Sequence, residues 1–151
     1  MKFLVAVLFM VTVLSAKPHS VAQVKKEYYK VQRMVSNGEL SMRKRGWDGG
    51  NVSKDAKIYT DDNGVVRFLV LEGGLEDSAH KGEYTYDRDG ELIFSYTHDG
   101  NVGGCWLDVR SYYSGYRVLK RKRKSGRCKP SRAYPLRVDN PRRAFRKVEN
   151  E

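Results

Sequence analysis

The hydrophobic positions of this chain follow two rhythms. From Ser20, the residues Val21, Val24, Tyr28, Val31 and Met34 or Val35 recur at steps of three or four, which is one apolar stripe of a helix. Ser20 and Gln23 have the spacing of a capping box, and Asn37-Gly38 supplies a stop, so the pattern predicts a helix over about 20–36. Lys25, Lys26, Lys30 and Arg33 fall mostly off the stripe and form its solvated face.

From Lys57 the helical period gives way to strands. "KIYTDDNGVVRFLVLEGG" and "GEYTYDRDGELIFSYTHDG" share an aromatic strand end, an acidic turn with glycine, and an apolar strand containing phenylalanine. Tyr59, Gly64 and Phe68 match Tyr86, Gly90 and Phe94, with one extra turn residue in the first copy. Asn-Gly and Asp-Gly mark hairpins because glycine accepts the positive φ such turns require. A third unit, "CWLDVRSYYSGYRVLKRK", turns near Ser114-Gly115. Six strands are predicted, near 57–61, 65–71, 83–87, 91–97, 105–113 and 116–123. Residues 39–56, with Arg43, Lys44, Arg45 and a glycine-rich turn after Trp47, read as a loop that Trp47 anchors on the core.

Val65 to Leu71 is apolar on both faces except at Arg67, which suits a central strand beneath the helix. Tyr84 and Tyr86 alternate with Glu83, Thr85 and Asp87, as in a half-exposed strand. The fold class is therefore α+β: one N-terminal helix packed on a mainly antiparallel meander sheet of about six strands. A small, partly closed β-barrel is the alternative. Two copies and a looser third do not amount to a solenoid.

The opening "MKFLVAVLFMVTVLSAKP" has a positive start, an apolar run and a small-residue cleavage point, the layout of a secretory signal peptide over 1–16. Its apolar run is short of the roughly 20 residues that span a bilayer. Residues 17–138 then make one globular domain, and 139–151 a basic, flexible tail. This places the protein outside the cytosol, secreted or periplasmic. Cys105 and Cys128 are the only cysteines and should form a disulfide there. With the third turn between Ser114 and Gly115, residue 124 falls opposite Cys105, so the bridge closes the base of the last hairpin. Asn51-Val52-Ser53 fits a glycosylation sequon, and "KRKR" matches a processing site.

Charge changes the picture most. Residues 1–104 carry 14 Lys and Arg against 14 Asp and Glu; residues 105–151 carry 15 against 4, the whole formal charge of +11. Arg110, Arg117, Lys120, Arg121, Lys122, Arg123, Lys124, Arg127, Lys129 and Arg132 are the candidate binding residues. Five consecutive cations on a strand must occupy both of its faces, so this segment projects from the core or forms an exposed edge. Such asymmetry points to an acidic macromolecule or anionic surface: polysaccharide, lipid, acidic protein or extracellular nucleic acid.

Other chemistry is thinner. "DDNG" and "DRDG" lack the ligand spacing of a calcium loop, and no metal or cofactor is implied. His80 and His98, facing each other with Glu83 and Arg110 nearby, are the residue types of a small secreted hydrolase of ribonuclease type. A protein inhibitor or adaptor, gripping one partner through its sheet face and loops, is the second reading and stands ahead of the hydrolase. The leading expectation is a non-enzymatic binding module that uses its basic C-terminal hairpin.

Overall fold

The computed structural model describes residues 20–149; the expected signal peptide lies outside them. The N-terminal helix is α1, Val21–Ser36. The Ser20 hydroxyl accepts the Gln23 N–H, and the Gln23 side chain accepts the Ser20 N–H in return. Two of the donors that every helix start leaves open are thereby satisfied. No described helix is long and apolar enough to cross a membrane.

Seven strands follow, each antiparallel to the one before, in the order of the chain: β1 Ser41–Asp48, β2 Ser53–Thr60, β3 Val66–Leu75, β4 Ser78–Tyr86, β5 Leu92–Asn101, β6 Trp106–Ser114 and β7 Arg117–Ser125. The sheet is open, with β1 and β7 as its edges, so the barrel alternative does not hold. The count is seven because part of the expected loop is β1. All of its side chains are exposed or half-exposed, so no apolar alternation marks it; its pairing with β2 makes it a strand.

The turns that join β2 to β3 and β4 to β5 are built alike. Asp61 Oδ1 accepts the N–H groups of Asn63 and Val65, and Asp87 Oδ1 those of Asp89 and Glu91. Gly64 and Gly90 take φ values of 74° and 79°, where a side chain would be strained. The first repeat has no extra turn residue: Thr60 occupies the place of Tyr86, each hairpin shifts register one pair further on, and Tyr59 corresponds to Thr85.

Both faces of the sheet are covered. On one, Val24 of α1 packs with Ile93, Phe94 and Tyr112, and Val31 with Leu40, Phe68 and Val70. Arg67 ties the helix down further. Its guanidinium is only 3% exposed, lies 2.7 Å from Glu27 of α1 and 3.6 Å from Asp61, and donates to the Tyr86 carbonyl. The apolar run of β3 thus carries a buried cation that the helix neutralises.

The opposite face is closed by the chain that follows β7. Residues 133–138 cross it as a strap, held by phenols that rise from the sheet. Tyr84 donates to the Pro135 carbonyl at 2.6 Å, Tyr113 to Leu136 at 2.8 Å, and Tyr86 to Val138 at 2.8 Å. Asp99 accepts the Ala133 N–H at 2.9 Å. Residues 139–149 are not the flexible tail expected: they hold α2, Pro141–Arg146, and a 3-10 turn, Lys147–Glu149. Asn140 caps α2 by accepting the Arg143 N–H, and proline takes the first turn, where its missing donor is harmless. Phe145 is buried among the sheet residues, with the guanidinium groups of Arg43 and Arg45 at 5.8 and 5.1 Å from its ring centroid.

Two outcomes test this packing. Glu27→Ala leaves the buried Arg67 with Asp61 as its one remaining carboxylate, at 3.6 Å, and should cost about 3 kcal/mol in urea denaturation. Burial holds the Tyr84 and Tyr86 phenols well above their ordinary value of 10.0, and raises Tyr134 to about 12. Their folded-state values exceed the unfolded one, so this stability is complete below about pH 10 and is lost as pH rises through the folded values. The urea midpoint should hold steady to about pH 9 and fall beyond about pH 10, with part of the phenolate absorbance appearing only on unfolding.

Candidate functional site

The basic segment is neither core nor loose tail. β7 pairs with β6 from Arg117 opposite Ser114 to Ser125 opposite Leu107. Because strand side chains alternate, Lys120, Lys122 and Lys124 lie on the α1 face, opposite Tyr112, Arg110 and Asp108. Arg121 and Arg123 lie on the strap face, opposite Ser111 and Val109, and Arg121 donates to the Ser111 hydroxyl at 3.1 Å. All five are exposed, as are Arg110 and Arg117. Arg127, Lys129 and Arg132 stand exposed on the segment that leads from β7 to the strap.

Two features fix this hairpin. Cys105 and Cys128 form the expected disulfide, with Cα atoms 4.7 Å apart. At the other end, Arg137 of the strap lies between Tyr113 and Tyr116, at 5.2 and 4.9 Å from their centroids, and donates to the Gly115 carbonyl. Asp139 holds the Arg137 guanidinium firmly charged through a paired contact. The register differs from the expected one by three residues. The turn centres on Gly115-Tyr116, and a shift beside Tyr112 adds one more, so Leu107 meets Ser125 where residue 122 was expected.

The electrostatic contrast with the rest of the sheet is sharp. Lys44 pairs with Asp55, Lys57 with Glu72, and Lys81 with Glu72 and Glu83. The Glu83 contact, at 2.7 Å, also raises the Lys81 ammonium's pKa. On the strap-side edge, Arg43 and Arg45 cover Phe145. Among the described residues, none of the ten candidate cations on the last hairpin and its exit forms an ion pair.

The acid–base candidates are not gathered at one point. Lys81, and not His80, is opposite His98, so the two imidazoles occupy opposite faces. His80 lies 2.9 Å from the buried Asp99, the residue that anchors the strap at Ala133. On the α1 face, His98 Nδ1 lies 2.6 Å from Asp108, which also accepts from Tyr96. Its Nε2 lies beside Gly100, and His98 itself stands two residues along the strand from the Tyr96–Glu83 pair. Glu83 is taken up by Lys81, and Arg110 stacks over Tyr96 at 5.4 Å. Tyr96 and Asp108 escaped the sequence reading because they act only as partners of other side chains. No described group of histidine, cysteine and acidic residues has a metal-binding arrangement. A cavity of about 830 Å³ lies under the strap, with Leu71, Gly73, Tyr134, Val138, Arg143 and Val148 among its walls. Trp47, expected on the core, instead stands half-buried on β1, with the Lys54 ammonium 5.8 Å from its ring.

Comparison of the chain with protein-family models, with curated proteins and with solved structures finds no match.

The bridge spans 23 residues of sequence separation. Its reduction should lower stability by about 3 kcal/mol through the longer reach of the unfolded chain. Urea denaturation with and without reductant measures this, and an unchanged midpoint would contradict it.

Proposed function

We propose that the chain is an exported, non-enzymatic binding protein whose β6–β7 hairpin engages an acidic macromolecule. One observation carries this reading. The sheet pairs Lys44, Lys57 and Lys81 with carboxylates on the same face, yet the cations of β7 stand exposed and form no ion pair among the described residues, Asp108 opposite Lys124 being taken up by His98. Mutual repulsion among Lys120, Arg121, Lys122, Arg123 and Lys124 works against folding, and a bound polyanion would relieve it. Blunting an edge against self-association explains one or two edge lysines. It does not explain cations continuing through Arg127, Lys129 and Arg132. Export is supported by the signal-like residues 1–16 and by the disulfide.

The test is retention on immobilised heparin across a salt series. Affinity should fall steeply with salt as counterions are released. Replacing residues 120–124 with alanine should reduce the logarithmic salt slope by about one unit for each cation that meets a sulfate group. Unchanged retention of the folded five-alanine variant would remove the hairpin from the reading. The same variant should show equal or higher stability, because it relieves repulsion.

A further inference from the structure

We propose that the occupant of this site is a polyacidic segment of another protein, bound as an added strand along the outer edge of β7. The inference rests on the charge reading above and narrows its partner to one chemistry. Among the described residues, β7 ends the strand order and pairs only with β6. Along an antiparallel edge, alternate residues turn both N–H and C=O away from the neighbouring strand. The backbone of β7 therefore presents donors and acceptors to solvent along its length, flanked by cations.

The placement of those cations selects the partner. Lys120, Lys122 and Lys124 project from one face and Arg121 and Arg123 from the other. A flat anionic surface such as a membrane can meet one row or the other, not both. An added strand meets both, because its own side chains alternate across the same two faces. Cross-strand neighbours stand about 5 Å apart at Cβ, so an Asp or Glu opposite each cation reaches it. Consecutive cations then call for consecutive carboxylates. The outward carbonyls of β7, hydrated while the edge is open, add a second requirement: a ligand that covers them must replace water with donors, which a peptide backbone supplies and sulfate and phosphate groups do not.

A second copy of this chain does not meet these requirements. Its β7 would place like charges directly opposite, and its other edge, β1, carries Arg43, Lys44 and Arg45. The charge that repels self-pairing is the charge that attracts an acidic strand, so one feature serves both purposes.

The experiment uses the intact oxidised protein with two fluorescent probes: an octaglutamate peptide, and the same peptide methylated at every backbone nitrogen. Both carry the same carboxylates, and only the first can donate to β7. The expected result is saturable binding of octaglutamate, with the methylated peptide weaker by about tenfold or more at equal salt, because it forfeits several backbone hydrogen bonds. Alanine at residues 120–124 should abolish binding of the unmethylated probe. Equal affinity for the two peptides would overturn strand addition and leave the charge reading intact. Heparin retention without octaglutamate binding would do the same, pointing to a sulfated polymer. Failure of both heparin and octaglutamate would bring down the charge reading together with this inference.

Discussion

Three phenol-to-carbonyl hydrogen bonds, from Tyr84, Tyr86 and Tyr113 to Pro135, Val138 and Leu136, hold this fold together in a way that no strand pairing does. A seven-stranded meander has two faces, and α1 reaches only part of one. The other bears Ile58, Leu69, Leu71, Tyr84, Tyr86 and Leu92, which need cover. A proline-containing strap can supply that cover only if its carbonyls find donors out of water. The buried tyrosines are donors in need of acceptors. Each requirement answers the other, and the exchange sets the path of the chain from Ala133 onward.

That path decides what happens at β7. The chain leaving β7 is caught at Cys128 by Cys105 and then drawn under the sheet by the strap, so it does not run back along the outer edge. β1, at the far side, has a different fate: α2 and the following 3-10 turn come to rest near it, with Phe145 beneath Arg43 and Arg45. Among the described residues, one edge is therefore engaged by α2 and the 3-10 turn and the other is left bare. The unpaired charge lies on the bare one. Placing excess charge on a rigid hairpin concentrates it within a few ångströms, whereas a mobile tail of the same composition would spread it out.

Local chemistry made much of this legible. The capping box, the apolar stripe of α1, the Asp-Gly and Asn-Gly turns, and the disulfide each depend on residues close in sequence or on a pairing with no rival. The exposure of Lys120 to Lys124 followed from strand alternation alone. Longer-range features were hidden. β1 has no apolar face to announce it, since its strand character comes from pairing with β2. The strap and α2 read as a tail because their anchors, the phenols of Tyr84, Tyr86 and Tyr113, are donated from about 20 to 50 residues upstream, and phenols look the same whether buried or exposed. Likewise, His80 would stand opposite His98 if the register of the Tyr86–Leu92 pair ran on, and the single shift between Thr85 and Tyr86 brings Lys81 there instead. The pairing of β4 with β5 separates them.

The most direct measurement of whether β7 is an ordered, uncovered strand is residue-resolved amide hydrogen exchange in the free, oxidised protein. An open edge bonded on one side alone gives an alternating record over residues 117–125: amides directed at β6 exchange slowly, and those between them exchange at nearly the rate of unstructured chain. That alternation is the predicted result, with one interruption beside Leu119, where the register shifts. Uniformly fast exchange would make the basic segment a mobile tail, and uniformly slow exchange would mean that the edge is already covered; either would contradict the structure's placement of its unneutralised charge.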